Sequence, residues 1–306
     1  MKYGGTKMIQ ILNVDKYYDK YLSLDSANAE IKDGTVFGLV GSNGSGKSTL
    51  LRIMSGVFKP EKGSVLYDGK DVFENPEVKK RVLYLSDEQY YFQYATLNDM
   101  RDLYKSVYES FDEGKYKKLC NLFALNPTRK ISTFSKGMKK QAAFLLALSC
   151  RPDYLLCDET FDGLDPVMRN LVKRIVADEA AEHGLTTIIA SHNLRELEDI
   201  CDHIALIHKA RIVFVSDIDT MKDNMHTVQA VVSENFTPEV LSGLKFTGYK
   251  RRGSMVSFVC RGSEKEIKDY MERISPEFYE LIPLTLEEIF ISEMEERGYD
   301  SSKSDI

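Results

Sequence analysis

The chain has 306 residues, of which 43% are apolar, with 41 basic against 47 acidic side chains and a net charge of −6. That length suggests about two domains with real cores, and the acidic balance argues against a nucleic-acid partner, which needs a basic face to neutralise phosphates. No apolar run approaches the roughly 18 residues of a membrane span and no signal peptide is read, so a soluble chain is expected.

Residues 1–7, "MKYGGTK", show no periodicity and read as a disordered leader; the first strand begins at Met8. "TVFGLV" is a short, β-rich apolar run of the kind buried in a parallel sheet, and "STLLRIMSGV" carries a helix. Between them the pattern G-x-x-x-x-G-K-S runs from Gly41 to Ser48. Glycines at 41, 44 and 46 let successive N–H groups turn inward, and the helix start adds its partial positive charge. Gly41, Ser42, Asn43, Gly44, Ser45, Gly46, Lys47, Ser48 and Thr49 thus form a cradle for the phosphates of a nucleotide. Lys47 would reach the β- and γ-phosphates, and the Ser48 hydroxyl would ligate Mg²⁺.

A strand at Val82–Leu85 follows, then "SDEQYYFQY", in which Tyr90, Tyr91, Phe92 and Tyr94 form either core or a docking surface. "LNDMRDLYKSVYESF" reads as helix, and so does "KGMKKQAAFLLALSC", with Ser135 as its N-cap. "DYLLCDE" and "LTTIIASH" are buried strands ending where polar residues begin, and ligands of open α/β sheets bind just beyond such ends. Asp158 and Glu159 close the first of these strands, one carboxylate to hold Mg²⁺ and one to activate water. Adjacent residues of a strand point to opposite faces, so both reach the nucleotide only if the chain turns there. Asp165, before Pro166 and a helical run, has the form of an N-cap.

After about Asn224 the texture changes. The runs "TVQAVVS", "KFTGYK", "SMVSFVCR" and "FYELIPL" read as strands, with "PEVLSGL" and "SEKEIKDYMERI" as helices between them, in the order β-α-β-β-α-β. This is the split βαβ or ferredoxin-like arrangement, and a last helix starts in the capping box Thr285–Glu288. The divisions are thus a leader at 1–7, an α/β P-loop domain with a largely parallel sheet at 8–223, a small α+β domain at 224–298 and a polar tail at 299–306. The five cysteines form no C-x-x-C pair and read as reduced core residues of a cytosolic chain.

Taken in chain order, these motifs resemble those of the ATP-binding cassette (ABC) family over roughly residues 8–215. By that resemblance "FSKGMKKQ" is the signature motif, whose Ser135 and Gly137 would touch the γ-phosphate of ATP held by a second cassette; Lys136 stands where the family commonly has glycine. "FDGLDP" is similar to the D-loop, which would put Asp165 at the interface between two cassettes. "IIASHNLRELED" resembles the switch region, with His192 as the γ-phosphate sensor. Tyr18 of "VDKYYDKY" would stack on adenine, with Tyr17 as the alternative. The family usually has a glutamine forty residues after the P-loop lysine, where this chain has Asp87; Asp87 would serve Mg²⁺ through water, or Gln89 would take its place. The resemblance implies an ATPase that binds ATP and Mg²⁺, with Lys47, Glu159 and His192 as catalytic residues and Ser48, Asp158 and Asp87 about the metal. It implies a second cassette, identical or paralogous, and a separate integral membrane permease that holds the chain on the inner face of the cell membrane. "PLTLEEIFISEM" resembles the tail of bacterial exporter-type cassettes, so export is expected. A soluble ABC ATPase acting on ribosomes or DNA, or a nucleotide-dependent regulator without turnover, is the alternative, and the absence of an N-K-x-D motif argues against a GTPase.

Overall fold

The computed structural model describes residues 8–296; the leader and polar tail read from the sequence lie outside them. The chain forms two compact units that divide between Val215 and Ser216. Helix Ile218–Asp223 therefore goes with the second unit, while the sequence places its change of texture just after it.

The first unit holds two sheets. The larger has six strands in the order Arg211–Asp217, His203–His208, Val36–Val40, Thr186–Ser191, Tyr154–Asp158, Val82–Leu85. From His203–His208 across to Val82–Leu85 every neighbouring pair is parallel. Val36–Val40, Tyr154–Asp158 and Thr186–Ser191 are buried at every position, which is why they read as unbroken apolar runs rather than alternating ones. Val40 lies opposite Ser191, and Asp158 opposite Ala190, so the three strands stop almost level. The loops that follow them leave from one edge.

The second sheet is antiparallel, in the order Tyr21–Lys32, Met8–Tyr18, Lys62–Tyr67, Lys70–Asp71. Helix Lys47–Met54 places Leu50, Leu51, Ile53 and Met54 in one core with Ile9, Leu24 and Tyr67 of this sheet and Leu39, Leu156 and Ile188 of the larger one. Eight residues make a marginal helix in water. An apolar surface on nearly all sides stabilises it only between two layers. The last turn is closed by Tyr67, whose hydroxyl donates to the Met54 carbonyl at 2.8 Å while its ring stands edge-on to Tyr154 at 4.7 Å.

Helix Lys136–Ser149 is buried at every residue from Lys140 to Ser149 and packs against helices Leu97–Val107 and Glu113–Leu122. The helix expected over "LNDMRDLYKSVYESF" stops at Val107, because Tyr108 is extended and Asp112 caps a new helix four residues on. All five cysteines are buried, and burial raises their thiols, Cys260 to about 11 and Cys150 and Cys157 to about 12.

The second unit is a four-stranded antiparallel sheet in the order Lys245–Arg252, Met255–Arg261, Met225–Val231, Phe278–Pro283. That is the strand order of a split βαβ arrangement. Val228 and Ala230, with Val256, Phe258 and Cys260 on the neighbouring strand, alternate into a core closed by Ile267 and Met271 of helix Glu264–Ile274. The helix expected at "PEVLSGL" is instead a single 3₁₀ turn, Pro238–Leu241. Gly243 sits where a Cβ would lie 2.4 Å from the Tyr270 ring, and the Tyr270 hydroxyl takes the Gly243 N–H and donates to the Val240 carbonyl, groups that a second turn would have used. The capping box at Thr285 and Glu288 forms as read and opens helix Leu286–Glu296.

Tyr67→Phe keeps the buried ring but leaves the Met54 carbonyl without its donor. A loss of about 1–3 kcal/mol is expected, read as a lower urea midpoint for the first unit with its slope unchanged.

Candidate nucleotide site

Three loops leave the level ends of the parallel strands, and each carries part of the site. The P-loop curls from Gly41 into helix Lys47–Met54, with Gly44 at φ 79° and Gly46 at φ 115°. Two glycines are required there for different reasons. A Cβ on Gly41 would lie 2.3 Å from the Ile207 carbonyl oxygen and 2.5 Å from Ser45 Oγ, a steric limit, whereas one on Gly44 would meet nothing and only the left-handed backbone excludes it. Lys47, 4% exposed, donates to the Gly41 and Ser42 carbonyls at 2.7 and 3.2 Å, and its ammonium is 3.4 Å from Glu159 Oε1. The Ser45 hydroxyl is buried without a hydrogen-bond partner. An orphaned donor in a glycine-rich cradle at a helix N-terminus fits a phosphate oxygen.

Asp158 is 3% exposed and doubly held: Ser48 Oγ donates to Oδ1 at 2.9 Å and the Tyr84 hydroxyl to Oδ2 at 2.8 Å. A hydroxyl and a carboxylate side by side are the hard oxygen donors that suit Mg²⁺. Glu159 follows at φ 50°, a left-handed conformation uncommon for a non-glycine residue. That single residue supplies the turn needed to aim both carboxylates the same way. Glu159 Oε1 meets Lys47, while Oε2 is 3.2 Å from His192 Nδ1. Asp162 also approaches that nitrogen, at 3.9 Å. Behind them Glu196 is buried between Ser191 Oγ (3.3 Å) and Arg169 (3.2 Å), and burial, then the nearby Asp162, raises its carboxyl above the usual range.

The remaining sequence candidates fall into two groups. Ser135 caps its helix by accepting from the Met138 N–H at 3.2 Å, and Asp165 caps helix Pro166–His183 by accepting from Met168 at 3.0 Å. Gly137 abuts the Gly163 carbonyl so closely that a Cβ would stand 3.1 Å from it. Ser135, Gly137 and the Gly163–Asp165 turn therefore share one surface. Among the described residues no hydrogen bond or ion pair joins them to the P-loop of the same chain. Tyr18, 40% exposed, has its hydroxyl 3.5 Å from Thr49 Oγ1 in the P-loop helix and its ring edge-on to Phe58. Tyr17 is exposed as well, and its N–H is taken by Glu61.

Asp87 pairs with Lys140, Nζ to Oδ1 2.9 Å, and Gln89 is tied back to the Ser86 carbonyl of its own loop. The aromatic run divides. Tyr91 is tucked in, its hydroxyl donating to the Lys139 carbonyl at 2.8 Å and raised by burial, whereas Tyr90, Phe92 and Tyr94 are exposed. Of the two alternatives the sequence left open, Tyr91 takes the packed one, while Tyr90, Phe92 and Tyr94 stay at the surface.

Sequence reasoning missed Tyr84, Lys140 and Tyr21, whose hydroxyl donates to the Gly44 carbonyl at 3.4 Å. Tyr84 stands as a polar group inside the apolar run "VLYL", and that was its only signal, whereas Lys140 lies in the polar stretch "KGMKKQ" and had none.

The family model described as "ABC transporter" matches residues 24–162. The methionine import ATP-binding protein MetN of Clostridioides difficile (strain 630) is 30% identical over 223 residues, 69% of this chain and 69% of MetN. The chain belongs to the ABC transporter family. It is an ABC transporter ATP-binding subunit, and the cassette it carries is an ATPase. The ABC transporter ATP-binding protein YtrB of Bacillus subtilis (strain 168) is 28% identical over 93% of this chain and 97% of YtrB, so the likeness reaches into the second unit. Among solved structures, a dimeric ATP-binding cassette in a post-hydrolysis state, bound to ADP and Pi, shares the fold at a TM-score of 0.62 and 19% identity, over 69% of this chain and 98% of that one.

Because Gly41 is limited by space and Gly44 by backbone, their alanine variants should differ. Gly41→Ala is expected to weaken nucleotide binding by about tenfold or more in a titration with a fluorescent ATP analogue, since the whole cradle must shift. Gly44→Ala should cost about 1–2 kcal/mol of stability and leave a smaller mark on affinity.

Proposed function

We propose that two cassettes, this chain and a copy or paralogue, close on two MgATP molecules and drive a separate membrane permease, with export as the direction. The observation that carries the reading is the convergence of Lys47, Glu159 and His192 within 3.4 Å steps at one strand edge. Lys47 holds the transferring phosphate, and its present ion pair with Glu159 keeps the carboxylate aimed at the same spot. Glu159 accepts a proton from the attacking water, and His192, with Nδ1 protonated, donates to Glu159 and orients it. Ser48 and Asp158 would hold Mg²⁺, which supplies charge neutralisation for the phosphates. Ser135, exposed, and Gly137, half-buried, at a helix start with no acidic residue in its first turn, would meet the nucleotide of the opposite cassette, with Asp165 at that interface. Tyr18 would stack on adenine, a contact worth about 1–3 kcal/mol.

The permease reading rests on Tyr90, Phe92 and Tyr94, of which Tyr90 is 81% exposed. No helix among the described residues is long and apolar enough to cross a membrane, so a partner would supply the span. Export rests on the segment "PLTLEEIFISEM".

Glu159→Gln removes the base and keeps the shape. Steady-state turnover should fall by a factor on the order of 10²–10⁴ while ATP still binds, and the variant should dimerise in MgATP by light scattering. Near-normal hydrolysis would sink the assignment. For the partner, Phe92→Ser with Tyr94→Ser should release the chain from membranes with melting temperature and basal ATPase activity unchanged, because exposed hot-spot aromatics contribute about 2 kcal/mol or more each. Retention on membranes would remove this surface from the interface.

A further inference from the structure

Lys140 is a lysine in the wrong place for a solvated charge. It opens the run of buried residues in helix Lys136–Ser149 and is itself 3% exposed. Burying an ammonium is costly unless it is fully paired, and an apolar side chain would pack this helix as well. Two of its three N–H groups are placed on specific acceptors: Nζ donates to Asp87 Oδ1 at 2.9 Å and to the main-chain carbonyl of Glu159 at 2.8 Å. Both acceptors lie just past the ends of neighbouring parallel strands, where Leu85 stands opposite Cys157.

Glu159 is also a residue whose backbone needs holding. Its left-handed conformation is unfavourable for glutamate and persists only where the surroundings over-determine it. The two ends of the residue are pinned by different elements, its N–H by the Ala190 carbonyl at 3.0 Å and its carbonyl by Lys140. We infer that Lys140 is a positioning residue for hydrolysis, fixing the Glu159 backbone so that the carboxylate stays aimed between Lys47 and His192, with Asp87 as the counter-charge that keeps Lys140 there. The inference rests on Glu159 being the base. It assigns Asp87 to Lys140 rather than to the metal. It also gives the aromatic loop a mechanical line to the site: Asp87 begins that loop, and Tyr91 docks on the Lys139 carbonyl one residue before Lys140. A pull on the loop is a pull on the carbonyl of Glu159.

Steady-state ATPase activity of the full chain tests this with Lys140→Met, Lys140→Arg, Asp87→Asn and the double variant Lys140→Met/Asp87→Asn. Lys140→Met should lower kcat by about tenfold or more, since small misplacements of a catalytic group are costly. KM for MgATP and the Mg²⁺ concentration for half-maximal rate should stay within about twofold, because neither ligand is bound by the pair. Lys140→Arg should restore most of kcat, Asp87→Asn should fall between, and the double variant should be no slower than Lys140→Met. Asp87 is half-exposed, so Asp87→Asn reports even if Lys140→Met does not fold. An unchanged kcat in Asp87→Asn and Lys140→Met overturns the inference. So does a raised Mg²⁺ requirement in Asp87→Asn, or a joint loss of melting temperature, KM and kcat in Lys140→Met that arginine does not rescue. Glu159→Gln in the same assay separates two failures: full turnover there removes the base and the inference with it, whereas loss there beside an unaffected Lys140→Met overturns the inference alone.

Discussion

Parallel pairing with level strand ends is the constraint on which the rest depends. Val40 beside Ser191 and Asp158 beside Ala190 bring three chain segments, more than a hundred residues apart at the extremes, to one edge without any loop having to reach. A slip of one residue in either ladder would turn every side chain of that strand to the other face and carry Asp158 away from Ser48. The dense apolar packing on both faces of these strands therefore specifies the site as much as the fold. It also creates the electrostatic conditions, since Lys47 and Asp158 are held where water is scarce and each must find its partner within the protein.

The site's skeleton was legible because its chemistry is local in sequence. Glycines, lysine and serine of the P-loop act within one turn, and the Asp158–Glu159 pair follows an apolar run whose end marks a strand end. Even the need for a turn at Glu159 could be read, since adjacent strand residues diverge; what could not be read is that a glutamate itself, at φ 50°, makes the turn. The pairings that join distant segments were not legible. Nothing in the sequence ties Lys140 to Asp87, fifty-three residues away, or Tyr84 to Asp158, seventy-four away. For the aromatic run, composition could not say which rings face inward, because Tyr91 is selected by a bond to a helix met later in the chain. In the second unit, alternation located the strands, whereas the short stretch at Pro238 had helical composition but lost its second turn to the Tyr270 hydroxyl.

Two of the candidate groups have a structural duty besides any functional one. Ser135 and Asp165 each cap a helix, and a cap fixes the direction in which the preceding loop enters. Replacing either residue changes a helix start as well as a surface, so loss of activity in such variants says little by itself. Gly137 and Gly163 meet backbone to backbone, which makes the two caps parts of one rigid ledge rather than two independent loops.

The buried cysteines have a practical corollary. With every native thiol inside the protein and raised by burial, none offers a thiolate to alkylating reagents at neutral pH. A cysteine introduced on an exposed loop would be the single reactive sulfur in an otherwise native chain. Spin labels or fluorophores can then be attached in pairs, one at the P-loop edge and one at the Ser135 ledge, without first stripping out five core residues. Opening and closing could be followed as a distance in the protein as it is made.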